Sequence, residues 1–487
     1  VQGTDDDRPE REAVALVARA AELAASGELA DAFRALDEQE KRFGTRQEPA
    51  FLDAVSMGLV LRAEFAARLG RGDDAERCLV DVIARLHGRT EPELRDRSAL
   101  AQCLRAQARA RAGRVTEALQ MFDRVVSEHG SAPEDAVVAR VAEALNGKGV
   151  LLATAGRDAE AVASFDEVVR RTAGRDEALV LQHLLDAMFC KKDVFVRQGR
   201  ALDAVRVLDE IVARVGARED LGLAAVVGRA LVHKANLLRD EGRIPEALAA
   251  YDGVVSRFGG GAEPSSAETA SVALNGKAWT LAMDGRNDDA VRAFDQIVER
   301  YGDRPEAAIA TQVCSALLHR GIVLGQRVTI SSRAETPPRR VEDAVRSYDE
   351  VVRRFGDYPD VLIGEMVAQA MVEKCMLRMA GGSFEQAFRL VDEIVERYGA
   401  ATSPRLVAGA AHVVLSKAFS LLTHERHAEA FAVLDGLIDR FGLVPDPAVV
   451  QLVERARRLR EDAGRRSPSS LRTTPSTRPG PGRASDR

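Results

Sequence analysis

The 487-residue sequence predicts an all-α solenoid of stacked helix-turn-helix repeats. Three observations carry that prediction: a 43-residue period, a strict side-chain pattern at helical spacing within it, and a composition of helix formers. Ala, Leu, Val, Arg and Glu dominate, aromatics are 5% and there is one Trp, a mixture that favours helices. A hydrophobic fraction of 46% is ample for a packed core and excludes wholesale disorder.

The period comes first. From Gly156, steps of 43 land backwards on Gly113, Gly70 and Gly27 and forwards on Gly199, Gly242 and Gly285. After an offset of 11 residues the phase resumes at Arg339, Gly382 and Glu425, giving ten units. A repeat of this length is the mark of a stack in which each unit buries its face on the next.

The second helix of each unit follows the reference position. Five residues on stands Ala without exception: Ala32, Ala75, Ala118, Ala161, Ala204, Ala247, Ala290, Ala344, Ala387 and Ala430. Four further on is a large residue, such as Phe122, Phe165, Tyr251, Phe294 or Tyr348. Three beyond that is Val, Ile or Leu in every unit except the first, which has Gln39. Spacings of 4 and 3 lay these positions along one helical face. Acids in the first turn (Glu117, Glu160, Glu246) and Arg in the last (Arg257, Arg300, Arg354) complement the helix dipole. Gly then follows in eight units (Gly44, Gly130, Gly216, Gly259, Gly302, Gly356, Gly399, Gly442), where a left-handed residue is expected.

The first helix lies upstream. Seven residues before each reference stands a small residue (Ala20, Ala63, Ala106, Gly149, Ala235, Ala278, Gly321, Cys375, Ala418), with Lys192 the bulky exception. Small residues here and the fixed Ala of the second helix would let the two helices approach closely, as in an αα-hairpin.

Segments such as Ala273-Leu-Asn-Gly-Lys-Ala-Trp-Thr-Leu-Ala-Met-Asp-Gly285 with Ala290 and Phe294 resemble the tetratricopeptide repeat's small-x₂-Leu-x₃-Gly-x₄-Ala-x₃-Phe core. The resemblance runs over ten copies with a period of 43 rather than 34, which implies a longer first helix. It also implies a right-handed α-solenoid over residues 10–463, closed by a polar capping helix over Pro447–Asp462. Residues 1–9 read as a disordered acidic N-terminus, 464–487 as a disordered Pro/Ser/Arg tail, and the inserted Val328–Pro338 as an exposed loop.

Charge and motifs narrow the function classes. With 69 basic against 75 acidic residues the net charge is −6, which weakens nucleic-acid binding. No run approaches about 18 consecutive apolar residues, so no membrane insertion is expected. The polar, acidic start does not resemble a secretory signal. Five dispersed cysteines form neither a disulfide framework nor a metal pattern, which fits a reduced cytoplasmic protein. Eight lysines beside 61 arginines suggest a GC-rich bacterial genome. His424-Glu425-Arg426-His427 is one residue short of the zinc motif H-E-x-x-H. No phosphate loop and no nucleophile elbow is present. Neither catalysis, a metal nor a cofactor is expected.

Two column patterns exceed background. Eight residues before each reference stands a base: Arg19, Arg62, Arg105, Lys148, Lys191, Lys234, Lys277, Arg320, Lys374 and Lys417. Ten after it stands Asp in nine units, among them Asp37, Asp123, Asp252, Asp295 and Asp435. An internal ladder of ion pairs, with the basic stems packed as apolar surface, is favoured over a ligand grip.

The second pattern lies six residues before each reference, a column that lines the concave groove in the family resembled. It reads Glu64, Gln107, Val150, Asp193 and Asn236, then Trp279, Ile322, Met376 and Phe419. With Met283, Leu318, Met379 and Leu422 nearby, these last four would form an apolar strip for a partner's helix or extended peptide. The competing reading turns this column into the core. The expected function is a non-catalytic protein-interaction scaffold; the alternative is a peptide-gated regulatory solenoid acting on an effector protein.

Overall fold

The computed structural model describes residues 8–217, 221–261, 263–330, 338–401 and 403–466. All regular structure among them is helical, and the helices group into two compact units, residues 1–219 and 220–487.

The first unit holds five helix pairs. They are α1 (Arg8–Ala25) with α2 (Leu29–Phe43), α3 (Pro49–Arg68) with α4 (Gly72–Arg85), and α5 (Pro92–Arg111) with α6 (Val115–His129). Then come α7 (Asp135–Thr154) with α8 (Asp158–Arg171), and α9 (Ala178–Arg197) with α10 (Ala201–Val215). The second unit begins with α11 (Leu221–Asp240) and α12 (Ile244–Phe258), α13 (Pro264–Met283) and α14 (Asn287–Tyr301), and α15 (Ala307–Ile330) and α16 (Pro338–Phe355). It ends with α17 (Val361–Ala380) and α18 (Phe384–Tyr398), α19 (Pro404–Thr423) and α20 (His427–Phe441), and the unpaired α21 (Pro447–Arg466).

Within each unit the first helix of a pair packs on its own second helix and on the first helix of the next pair. Most first helices run 20 residues, so the extra length of the repeat resides in them. Several start at Pro in the first turn after an extended Glu or Ser, where the missing N–H costs nothing.

The turn between paired helices explains the reference glycines. Gly27, Gly70, Gly113, Gly156, Gly199, Gly242, Gly285 and Gly382 all have positive φ, between 70° and 87°. The N–H that follows each reaches back to close the first helix, as Arg157 N does to the Leu152 carbonyl at 2.9 Å. The glycines ending the second helices do not behave as expected. Gly44, Gly130, Gly216, Gly259, Gly302, Gly399 and Gly442 are right-handed, with φ between −60° and −70°. They are glycine because of crowding. A Cβ on Gly130 would stand 2.3 Å from the Val126 carbonyl oxygen and 2.8 Å from the Arg171 guanidinium. Arg171 donates to the Gly130 carbonyl at 2.5 Å, and Arg85 does the same to Gly44 at 2.6 Å.

Packing follows the columns. Each fixed Ala is at most 8% exposed, and the large residue four positions on is buried in every unit. That large side chain wedges between first helices. Phe165 would stand 2.5 Å from a Cβ on Gly149 of its own pair, and Phe122 2.6 Å from one on Gly147 of the next. Tyr348 faces Gly321, and Tyr251 faces Gly276, in the same two ways. Gln39, the odd residue of its column, is buried but donates to the Ala13 and Ala54 carbonyls at 3.0 and 2.9 Å.

Three boundaries move. Helix α1 starts at Arg8, and α21 runs to Arg466, two to three residues beyond the expected ends. The inserted segment is not wholly loop. Val328–Ile330 prolong α15, whose sequence has no breaker there, and Pro338 opens α16. Residues 331–337, like residues 1–7 and the tail 467–487, lie outside the described residues.

Two spans, Ala307–Gly325 and Pro404–Thr423, have the length and apolarity of a membrane-crossing helix. Both are first helices packed between two other first helices, α15 between α13 and α17 and α19 between α17 and α21. The apolar character is what burial on two sides requires.

Candidate functional site

The charge columns resolve into a ladder. Lys148 bonds Asp123 at 2.5 Å, Lys191 bonds Asp166 at 2.6 Å and Lys277 bonds Asp252 at 2.5 Å. Further along the second unit, which also holds Lys277 and Asp252, Arg320 meets Asp295 at 2.7 Å, Lys374 meets Asp349 at 2.5 Å and Lys417 meets Asp392 at 2.7 Å. Each base reaches the second helix of the preceding pair, 25 residues back. Arg62–Asp37 and Arg460–Asp435 follow the same rule, the latter from the terminal helix α21. The Asp side chains are about half exposed (57% for Asp252), so each rung contributes at most about 1 kcal/mol. The rule breaks at Arg105. Val80 stands where an Asp is due, and Arg105 turns to Glu76 at 2.6 Å.

None of the nine residues named in the groove column is fully buried. Glu64, Gln107, Asn236, Trp279, Ile322 and Met376 are half-buried, while Val150, Asp193 and Phe419 are exposed. Trp279 packs on His319 with ring centroids 5.0 Å apart, and burial lowers that histidine's pKa. Met283, one turn on, is exposed. Leu318 departs from expectation: it is 2% exposed and belongs to the core. Its column faces the next first helix, where Asn146 and Asn275 in the equivalent positions donate to the His183 and Gln312 carbonyls. Leu422 also leans inward, against the cluster of Phe388, Leu421 and Ala430.

The strip is therefore gathered only in part. Met376, Met379 and Phe419 wall one open cavity of about 660 Å³, whereas Trp279, Met283, Ile322 and Leu422 lie outside it. Helices α17 and α19 supply the floor, Phe384 the start of α18, and α21 the far wall through Leu459. Phe419 is 60% exposed in it. Arg455 and Arg458 of α21 give the apolar hollow a basic rim, with Asp462 beside them. Reading α21 as a cap alone missed this wall. Residues 455, 458, 459 and 462 recur at 3- and 4-residue spacing, the signal of a shared helical face.

Chemistry beyond binding finds few parts here. Cys314 and Cys375 are buried, and burial pushes both thiols up to about 12, far from a reactive thiolate. Among the described residues no group of three His, Cys, Asp or Glu could hold a metal ion. His424 caps α19 through Ser420 and packs on Phe384 at 4.3 Å, and His427 opens the next helix.

The tetratricopeptide-repeat family model matches residues 60–136, 103–176 and 193–263. No curated protein matches the sequence. Among solved structures, the apo form of RapI is 10% identical, with a TM-score of 0.44, covering 75% of this chain and 97% of that one. The apo quorum sensor NprR from B. thuringiensis is 11% identical, with a TM-score of 0.34 and coverage of 80% and 98%. A Rap protein complexed with competence and sporulation factor is 10% identical, with a TM-score of 0.33 and coverage of 76% and 99%. The repeat register and the paired helices agree with that match: residues 60–176 and 193–263 carry tetratricopeptide repeats, and the same helix pairing recurs in both units.

Proposed function

We propose that this chain is a non-catalytic, cytoplasmic interaction scaffold whose second unit binds an amphipathic helix or extended segment of a protein partner. The observation that carries the reading is Phe419. A phenyl ring 60% exposed beside Met376 and Met379 in a 660 Å³ hollow costs solvation until a partner covers it. Flexible methionines let such a hollow adapt to different apolar side chains. The Arg455 and Arg458 rim favours a partner with carboxylates beside its apolar anchors. Trp279 and Met283 extend the apolar face toward α13, outside the hollow.

The test is affinity capture from the native host with the full chain and its Phe419→Asp variant. Partners held by the parent should be lost by the variant while the melting temperature stays unchanged. On an identified partner, Phe419→Ala should weaken binding by about 2 kcal/mol, as a hot spot does, and Trp279→Ala by less. Equal capture by parent and variant would overturn the reading.

A further inference from the structure

A second cavity, of about 580 Å³, lies in the first unit, walled by the end of α4 and the turn after it, by α5 and by α6. Its lining departs from the repeat at three columns that are otherwise core. Ser98 stands where other pairs have Val55, Val141, Leu184 or Val313. Gln102 stands where they have Leu59, Leu145, Leu274 or Met371. His129 replaces Phe43, Leu86, Phe258 or Phe441, Thr172 being the other polar residue of that column. Three apolar positions of one repeat have thus become polar together, and all three face one cavity.

These side chains are organised. Gln102 and His129 are 6% and 7% exposed. The Gln102 amide nitrogen donates to the Glu128 carboxylate at 2.8 Å and lies 3.4 Å from His129 Nε2. A carboxylate only accepts, so the amide orientation is set, and His129 Nε2 must then be the acceptor of the pair. The proton of the neutral ring sits on Nδ1. Both His129 Nδ1 and Gln102 Oε1 are buried with no hydrogen-bond partner among the described residues. A buried donor and acceptor left without partners are costly to keep in a core.

The surroundings are cationic. Arg89, Arg95, Arg105 and Arg124 line the cavity with Glu128; Arg89 pairs with Glu91 at 3.6 Å and Arg95 with Glu134 at 3.5 Å. Arg105 pairs with Glu76 at 2.6 Å in place of an Asp rung, because position 80 is Val80, and no carboxylate pairs with the exposed Arg124 among the described residues. Cavities of a few hundred Å³ with a few convergent polar groups are the size and make of small-molecule sites.

We propose that this cavity binds a small organic oxyanion, a phosphate ester or a carboxylate, that also carries a hydroxyl group. Arg124, unpaired among the described residues, supplies the guanidinium for the anionic group. The Gln102 carbonyl accepts from the ligand hydroxyl, and His129 Nδ1–H donates to a ligand oxygen. The site is separate from the partner-binding hollow and stands or falls without it.

The probes are glycerol 3-phosphate and malate, added to the full chain in thermal unfolding and calorimetric titration. At least one should raise the melting temperature, and which of the two does so identifies a phosphoryl or a carboxylate ligand. The Gln102→Leu/His129→Phe double variant takes the residues of the other repeats. It should melt higher than the parent when free and show no shift with either probe. Arg124→Gln, on the exposed wall, should leave the free melting temperature unchanged and weaken binding about tenfold. No shift with either probe in the parent, or the same shift in the double variant, would overturn the proposal.

Discussion

The two units place their polar and apolar residues in opposite ways. Along the half-buried to exposed column of the first helices, residues 1–219 show Glu64, Gln107, Val150 and Asp193. Residues 220–487 show Asn236 and then Trp279, Ile322, Met376 and Phe419. Inside, a single repeat of the first unit, α5 with α6, departs from the apolar pattern of the others. The first unit puts Ser98, Gln102 and His129 into core columns, where the second keeps Leu274, Val313, Met371 and Phe441. The column is half-buried or exposed in both units, and packing does not dictate a phenyl ring at the 60% exposed position 419. Because the core columns are closed in both, the polar triplet runs against stability and needs its own reason.

If the scaffold is the same in both units and only these choices differ, the wedge residues should weigh alike. Tyr348→Ala in the second unit and Phe165→Ala in the first each empty a fully buried site. Each should cost about 3–5 kcal/mol in chemical denaturation. A large disparity would mean that the units pack by different rules. Overpacking comes next. Ala290→Leu and Ala118→Leu force bulk between paired helices where the parent residues are 0% exposed, and each should cost roughly 1–3 kcal/mol. Unchanged stability would contradict close approach.

A smaller effect has the opposite sign. Glu425 occupies the turn position held by glycine in most other pairs, with φ at 62°. Glu425→Gly should raise stability by about 1 kcal/mol by removing the left-handed strain, and Gly156→Glu should lower it by a similar amount. The least effect belongs to the ladder. Asp252→Asn and Asp123→Asn should each cost under about 1 kcal/mol, and the loss should shrink in high salt. A larger, salt-independent loss would mark these rungs as desolvated.

Much of the fold was legible because each column has one physical job. The positive-φ turn glycines, the Ala at the helix crossing and the wedge residue all recur at positions the period locates. The basic and Asp columns predicted the Lys277–Asp252 pair, though choosing Asp252 over Asp295 required the stack. The candidate site was less legible. Leu318 sits one turn from Ile322, yet one is buried and the other is not, because a neighbouring first helix covers only the first. The α21 wall was hidden by its polar composition, since Arg455 and Arg458 read as solubilising charge until Leu459 is seen facing Phe419 across the hollow.

The amino-acid sequence by itself determined the all-helical class, the register of the pairs and the ion-pair ladder, since each depends on spacing along one chain. Tertiary structure alone decided two things. One is which glycines are left-handed: the turn glycines bend the chain, whereas those ending the second helices lie against the carbonyl four residues back and, at Gly130, Gly302 and Gly399, against an arginine as well. The other is which surface residues converge. Met376, Phe419 and Leu459 are far apart in sequence and meet only because α17, α19 and α21 lie side by side. Periodicity gives each residue an angle about its own helix axis. A hollow is formed by several axes at once, and their separation is set by the side chains packed between them.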